Sequence, residues 1–245
     1  MRVDVFFQAG EPAALDIVER SVVVIDVLRA TSTIVEALVN GARGVYPAAS
    51  TEEAMKLASS LGREDTLLCG ESKGRMIEGF DLGNSPSEFV AERVADKRLV
   101  MSTTNGTPAF LLAEDADRVL ACCFMNLGAV VDTIATAESL VVVCAGRDGR
   151  FSADDAVCAG TLLTRLRARG DGRLDLNDAG NAALELANTI QVDADFLATT
   201  DGGKSLVDIG FRADLVHCAQ VDRYAVVPEM EDRVIRLPEP TRVGG

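Results

Sequence analysis

The segment VVVIDVLRATST, residues 22–33, decides the fold of this 245-residue chain. Its apolar run ends at an acid, Asp26, and leads through Arg29 into a hydroxyl-rich stretch typical of a helix start. An apolar run bounded in this way predicts a buried strand of an α/β sheet. Such sheets bind their ligands at the carboxyl ends of the strands, so we expect Asp26 in a functional site rather than in the core.

The residues that follow Asp26 predict an anion site. Arg29 carries the planar donor fork that binds phosphate through two hydrogen bonds. Thr31, Ser32 and Thr33 supply hydroxyl groups, and the backbone amides of a helix N-terminus favour an anion. An acid suited to a metal beside an arginine suited to a phosphate indicates phosphoryl chemistry.

The rest of the chain alternates strand-like and helix-like segments in the same way. This rhythm predicts an α/β fold in which helices cover both faces of a mostly parallel sheet, organised as one domain over residues 1–245. A turn-rich change of pattern at residues 170–180 is a candidate start for a C-terminal subdomain. Strands are predicted at residues 3–7, 22–27, 45–48, 66–69, 99–102, 119–122, 140–144 and 234–236. Helices are predicted over residues 181–189 and from Thr31, Thr51, Ser85, Thr107, Asn126 and Ser152, of which Ser85 followed by Pro86 is the strongest start signal, whereas residues 199–203 predict a break.

Composition excludes several classes of partner and site. The net charge of −14 argues against nucleic acid or an anionic membrane surface, because both require clustered basic residues. No stretch approaches the roughly eighteen consecutive apolar residues of a membrane helix, and the N-terminus resembles no signal peptide, so a soluble cytoplasmic protein is expected. The six cysteines lack metal-finger spacing and imply no disulfide framework.

The chain has a single histidine, His217, in the apolar context ADLVHCA. Serine-histidine hydrolysis and histidine-rich binuclear metal sites are therefore not expected. The site must operate with carboxylates, hydroxyls or a thiol. Ligation by oxygen alone points to Mg²⁺, which binds carboxylates, water and phosphate oxygens.

Four further segments place polar residues at predicted strand ends. Residues 79–86, GFDLGNSP, either contact a ligand through Asn84 or only cap the next helix. Residues 101–107, MSTTNGT, either offer amides and hydroxyls to an oxyanion or form an Asn-Gly turn with capping threonines. The two other segments end in acids, which are metal ligands or ordinary surface residues: Glu71 after the strand TLLCG, and Asp154 with Asp155 in CAGRDGRFSADD, residues 144–155.

Cys144 and Arg150 formally satisfy the cysteine-x5-arginine spacing of tyrosine phosphatases. In those enzymes a thiolate attacks phosphorus while the loop and the arginine hold its oxygens. A metal-independent cysteine phosphatase is therefore one alternative. A buried thiol at the end of a strand is the simpler interpretation.

Taken together, the motifs resemble the 2-phosphosulfolactate phosphatases, a family of Mg²⁺-dependent enzymes that hydrolyse 2-phospho-3-sulfolactate to 3-sulfolactate and phosphate. The resemblance implies a three-layer α/β/α fold with a mixed sheet. It also implies that Asp26, Glu71 and Asp155 are metal ligands or catalytic carboxylates, with Asp154 at a position where the family often has an acid. The residues that carry the resemblance are DVLRATST at 26–33, GE at 70–71, GFDLGNSP at 79–86, STTNGT at 102–107, NLGA at 126–129 and CAGRDGRFSADDAVCAG at 144–160.

The prediction is Mg²⁺-dependent hydrolysis of a small acidic phosphomonoester, most specifically 2-phosphosulfolactate. Asp26, Arg29, Glu71 and Asp155 are the expected catalytic residues, and Asp154 joins the three acids in the expected metal set. A protein that only binds an organophosphate, and clefts that serve as a homo-oligomer interface, remain alternatives. The expected substrate-binding residues are Thr31, Ser32, Asn84, Ser102, Thr103, Thr104, Asn105, Gly106, Arg147 and Arg150.

Overall fold

One mixed sheet organises residues 1–12, 17–169 and 173–238, the part of the chain that the computed structural model describes. The strands are β1 (Arg2–Phe6), β2 (Ser21–Ile25), β3 (Gly44–Pro47), β4 (Thr66–Ser72), β5 (Arg75–Met76), β6 (Arg98–Ser102), β7 (Arg118–Cys122), β8 (Ser139–Cys144), β9 (Asp175–Leu176), β10 (Glu229–Glu231) and β11 (Val234–Arg236). The helices are α1 (Ala30–Val39), α2 (Thr51–Leu61), α3 (Ala91–Val94), α4 (Gly106–Leu112), α5 (Leu127–Ile134), α6 (Ala153–Arg169), α7 (Asp178–Thr189), α8 (Ala194–Thr199), α9 (Asp201–Asp208) and α10 (Arg212–Cys218).

The sheet consists of two parallel blocks joined by an antiparallel hairpin. Its strand order is β5-β4-β6-β3-β11-β10-β7-β2-β8-β1-β9. The strands β4, β6 and β3 form one parallel block, and β7, β2, β8, β1 and β9 form the other. The hairpin β10–β11 pairs antiparallel with both blocks, and its contact with β3 is a single registered pair, Ile235 with Val45. Both blocks contribute to one cleft, because it is lined by Asp26, directly after β2, and by Glu71 of β4.

Helices cover both faces of the sheet, which confirms the expected three-layer α/β/α architecture. The strand β2 is SVVVI, and its valines are completely buried because apolar side chains cover it on both sides. Its residues Val23 and Ile25 pack in a cluster with α5, α6 and α7, whereas Val22 and Val24 pack in a second cluster with α1 and α4.

The predicted strands are confirmed within two residues at most ends. Five predicted helix starts agree within one residue with the observed ones. The helix predicted over residues 181–189 begins earlier, at Asp178. At Ser85 the segment forms a three-residue 3₁₀ turn, Pro86–Glu88, instead of a longer helix. The physical reason is that Ser85 Oγ donates to Asp214 and does not cap the turn, while the Glu88 carboxylate turns back to accept from the Gly83 amide.

The break expected at residues 199–203 is confined to Thr200, which is extended between α8 and α9. Thr200 caps α9, since its Oγ accepts from the Gly203 amide at 3.0 Å, and both glycines of the segment lie inside the helix. The turn-rich residues 170–172 lie outside the described part of the chain. Among the described residues, no helix has the length and apolar character needed to cross a membrane.

Candidate active site

The carboxyl ends of β2, β4, β6 and β8 meet at a cleft of about 320 Å³. Three acidic and three basic side chains line it, together with amide, hydroxyl and apolar groups. Seven of the predicted site residues are among the lining residues: Asp26, Arg29, Glu71, Asn84, Thr104, Asn105 and Arg147. The other lining residues are Leu28, Lys73, Gly74, Asp148, Ser205 and Leu206.

Asp26 lies directly after β2 and is 6% exposed. Its Oδ1 accepts from the backbone amide of Ala30 at 3.1 Å, and its main-chain oxygen accepts from the amide and the hydroxyl of Thr31. The donors at the start of α1 therefore already have an acceptor within the chain, which is Asp26. Asp26 Oδ2 has no hydrogen-bond donor among the described residues.

The loop after β6 approaches this carboxylate closely. A Cβ atom at Gly106 would lie 2.6 Å from Asp26 Oδ2 and 2.4 Å from the Ala30 Cβ, so only glycine fits here. The same loop turns Thr104 and Asn105 toward the cleft. Asn105 Oδ1 accepts from the Asp148 amide at 3.0 Å, which joins the loops after β6 and β8.

Glu71 is held by two backbone amides. Its Oε1 accepts from Thr104 at 2.8 Å and its Oε2 from Gly74 at 2.6 Å. Lys73 and Gly74 form the two-residue turn between β4 and β5 and have φ angles of 53° and 79°, the left-handed pair of a tight hairpin. The turn brings Lys73, an exposed cation without an ion-pair partner among the described residues, to the rim of the cleft.

Arg29 is buried and already engaged by the protein. Its Nη1 donates to Asp214 Oδ2 at 2.7 Å, and its Nη2 donates to the carbonyl of Gly74 at 2.8 Å. The guanidinium carbon lies 4.7 Å from the ring centroid of Phe211. Arg29 still lines the cleft, and its other N–H groups have no partner among the described residues.

Asn84 combines burial with an unused acceptor. The residue is 4% exposed, and its backbone carbonyl accepts from Thr33 Oγ1 at 2.9 Å. Its Oδ1 is buried and has no hydrogen-bond partner in the described ranges, although Asn84 lines the cleft. A buried polar oxygen left unpaired is costly, so this atom indicates a bound group at this position.

Asp154 and Asp155 lie behind the cleft and do not line it. Asp155 accepts from the amides of Val27 at 2.8 Å and Gly146 at 3.1 Å, and so ties β2 to the loop after β8. Burial raises its pKa well above the ordinary value, and Asp154 and Asp26 raise it further. Burial also raises the pKa of Asp154, whose carboxylate accepts from the Ser152 hydroxyl.

The buried carboxylates repel one another. Burial raises the pKa of Asp26 to about 7, and the charges of Asp154 and Glu71 add to the increase. No group of three or more His, Cys, Asp or Glu side chains within the described ranges is arranged to hold a metal ion by itself. Mg²⁺, however, commonly binds through one or two carboxylates and keeps several waters. Asp26 Oδ2, Glu71 and the unpaired Asn84 Oδ1 are hard oxygen donors that fit such an ion.

The thiol alternative receives no support from the geometry. Cys144 is completely buried in β8, and burial, with the charges of Asp155 and Asp154, raises its pKa well above the ordinary value. A reactive thiolate requires the opposite environment. Arg150 forms a tight turn with Arg147 and lines a separate pocket beside the cleft.

The remaining predicted residues support the cleft from beneath. Thr31 and Ser32 are fully buried and donate to the main-chain oxygens of Asp26 and Val27. Thr103 Oγ1 accepts from the Thr107 amide, and Ser102 is a buried end of β6. None of these hydroxyls lines the cleft.

Sequence reasoning missed Lys73, Asp148, Ser205, Leu206 and Asp214. The sequence does contain a signal for Lys73 as a site residue, because it follows Glu71 by two residues and precedes a glycine. Asp214 carried no signal, since it lies in an apolar helical segment.

Comparison with known proteins identifies the family of this chain. The sequence profile of the 2-phosphosulpholactate phosphatase family matches residues 9–233. A probable 2-phosphosulfolactate phosphatase of Thermotoga petrophila is 39% identical over 90% of this chain and 93% of its own length. Proteins of the same designation from Caldanaerobacter subterraneus and Gloeobacter violaceus are 38% and 41% identical, over 91% and 84% of this chain and 93% and 86% of their own. The chain therefore belongs to the 2-phosphosulfolactate phosphatase family.

Proposed function

We propose that this protein hydrolyses 2-phosphosulfolactate to 3-sulfolactate and phosphate in a Mg²⁺-dependent reaction. The observation that carries the proposal is the convergence of Asp26, Glu71 and Asn84, from three segments distant in sequence, on one cleft. All three lie within the matched range of the family profile, residues 9–233. Relatives matched over most of their length carry the name of this activity.

The charge of the cleft supports a divalent cation in the reaction. Asp26, Glu71 and Asp148 balance Arg29, Lys73 and Arg147, so the lining has no formal net charge. The proposed substrate carries a phosphate, a sulfonate and a carboxylate. Binding such a polyanion beside three acids requires additional positive charge.

Asp26, Glu71 and Asn84 Oδ1 are the proposed ligands of Mg²⁺. When bound, the ion would neutralise charge on the phosphoryl oxygens. This assignment also accounts for two features of the protein alone: the mutual repulsion of the buried acids, and the Asn84 acceptor, which has no donor among the described residues.

The chain's own residues divide the work of holding the substrate. Arg29 is buried and fixed in place, which suits it to the phosphoryl group, whose charge changes during the reaction. Lys73 and Arg147 lie at more exposed positions of the cleft and suit the sulfonate and carboxylate. These two groups undergo no bond change, so contacts with them contribute mainly to binding.

Asp26 is the proposed residue in contact with the reacting centre. Its Oδ1 is fixed by the Ala30 amide, and its Oδ2 has no protein donor within the part of the chain that the structure describes. The absence of a side chain at Gly106 lets the loop after β6 pass close to Oδ2. Asp26 is also the residue best placed for nucleophilic attack if the reaction passes through a phosphoenzyme.

The test is phosphate release from 2-phosphosulfolactate, phospholactate and the phosphoglycerates, each with Mg²⁺ and with a chelator. The proposal predicts Mg²⁺-dependent release that is fastest with 2-phosphosulfolactate and absent in Asp26→Asn. Release that persists in chelator and stops on thiol alkylation would instead establish the cysteine mechanism. Thermal stabilisation by the ester without released phosphate would show a binding protein.

A further inference from the structure

Asp214 is a buried acid on α10, separated by 185 residues from its partner Arg29. The side chains of both residues are 2% exposed, and Arg29 Nη1 lies 2.7 Å from Asp214 Oδ2. Charges removed from water to this extent are tolerated only when they are paired and their remaining polar atoms are bonded. The partners of this ion pair are therefore central to its role.

Both oxygens of Asp214 are used, and this fixes the carboxylate. While Oδ2 accepts from Arg29, Oδ1 accepts from Ser85 Oγ at 2.6 Å, and Ser85 Oγ lies 2.8 Å from Ser87 Oγ. Ser85 directly follows Asn84, which lines the cleft. One carboxylate thus connects α10 with the segment that carries Asn84 and with the start of α1.

Three contacts hold the guanidinium of Arg29. Asp214 binds one nitrogen, the Gly74 carbonyl binds another, and Phe211 covers one face of the plane. Phe211 and Asp214 both belong to the start of α10, and Gly74 belongs to the turn that also orients Glu71. The remaining N–H groups of Arg29 have no partner in the described ranges, and the residue lines the cleft.

We propose that Asp214 is a positioning residue that fixes the orientation of Arg29 so that its remaining N–H groups bind the phosphoryl group. The proposal rests on the phosphatase function proposed above. A free arginine side chain must lose its rotamer freedom when it binds an anion, whereas a fixed guanidinium has already lost it. The benefit is largest in the transition state, where the geometry of the phosphoryl group is most demanding.

The experiment compares wild type with Asp214→Asn and Asp214→Glu in the presence of Mg²⁺. We measure kcat and KM on 2-phosphosulfolactate, the Kd of inorganic phosphate and the thermal midpoint. We expect Asp214→Asn to lower kcat at least tenfold and to weaken phosphate binding severalfold in folded protein, with partial rescue by Asp214→Glu. The matched control is Asp4→Asn, which removes the acid of another ion pair, with Arg20, outside the cleft.

A double variant separates positioning from a structural role. If Asp214 acts through Arg29, Asp214→Asn should change kcat less than twofold in an Arg29→Met background. A folded Asp214→Asn variant with kcat, KM and phosphate affinity within twofold of wild type would overturn the proposal. A lower thermal midpoint with unchanged kcat would equally overturn it, because the role would then be structural.

The phosphate measurement separates this proposal from the proposed function. If wild type binds phosphate but does not hydrolyse 2-phosphosulfolactate, the substrate assignment fails, while weaker phosphate binding by Asp214→Asn still supports positioning. If wild type binds neither phosphate nor the ester, both proposals are wrong.

Discussion

Replacing Asp26 by asparagine should abolish activity and at the same time stabilise the metal-free protein at neutral and alkaline pH. Burial raises the pKa of Asp26 from 3.8 to about 7, and the charges of Asp154 and Glu71 add to this effect. In the unfolded chain the same carboxyl ionises near 3.8. The folded state thus binds a proton more tightly than the unfolded state, so the stability of the folded protein decreases as the pH rises from about 4 to about 7.

The size of the effect follows from the same shift. A change from 3.8 to about 7 corresponds to at most about 4 kcal/mol of unfavourable free energy in the fully ionised folded state. Asparagine retains the shape of the side chain and an oxygen that accepts from the Ala30 amide, but it carries no charge. Removal of a carboxylate from the reacting centre should nevertheless lower kcat by several orders of magnitude.

The assay is urea unfolding of wild type and Asp26→Asn in chelator at pH 5 and pH 8. We expect the variant to gain more stability at pH 8 than at pH 5, and Mg²⁺ to stabilise wild type more than the variant. Asp115→Asn is the control, because Asp115 is exposed and should change stability by no more than about 0.5 kcal/mol. A stability gain over wild type that is equal at both pH values, or a variant that retains wild-type turnover, would refute the reasoning.

Three further predictions concern other parts of the molecule. Cys144→Ser should retain most of the wild-type turnover in a phosphate-release assay, because burial raises the pKa of this thiol. Complete loss of turnover in a folded Cys144→Ser variant would instead support the thiolate mechanism. Lys73→Met should raise KM about fivefold with little change in kcat. The control Arg75→Met lies next to the same turn but outside the cleft and should change neither constant. Equal KM values for the two variants would exclude an anion contact by Lys73. Burial alone would raise the pKa of Glu36, but the hydrogen bonds that its carboxylate accepts from a histidine and a tyrosine outweigh burial and lower the pKa below 4.5. Glu36→Gln should therefore lower the free energy of unfolding by about 1–3 kcal/mol at pH 7, and the stability difference from wild type in urea unfolding should shrink below pH 4.5. A stability difference that stays constant with pH would contradict this prediction.

The sheet could be predicted from sequence because its strands carry a local signal. The runs that end at Ile25 and Cys144 are apolar on both faces, and a run of this kind over so few residues is typical of a buried parallel strand. The position of Asp26 at a strand end followed directly from the run that precedes it. The hairpin β10–β11 was harder to place, since its role between the two blocks depends on pairing with strands far away in the chain.

The partners of the site residues could not be predicted in the same way. Arg29 was expected to present its donor fork to phosphate, and the structure shows that two of its nitrogens are engaged by Asp214 and Gly74. Asp214 lies in an apolar helical pattern that gives no indication of a partner. Thr31 was expected at the substrate, whereas its hydroxyl is bonded to the main chain of Asp26. In each case the residue type was informative, but its hydrogen-bond partner was set by tertiary contacts.

The pairing of Arg29 with Asp214 changes the electrostatics of the whole cleft. A guanidinium whose charge is already compensated offers directed N–H groups but little net attraction to an anion. When Arg29 is left out, the positive charges of the lining are those of Lys73 and Arg147, and its negative charges are those of Asp26, Glu71 and Asp148. The net charge of the whole chain is −14. In the proposed function, attraction of a polyanion then comes from the proposed Mg²⁺ ion, and orientation from Arg29. This division explains why a strongly acidic protein can bind an acidic ester, and it requires that chelation weaken substrate binding as well as turnover.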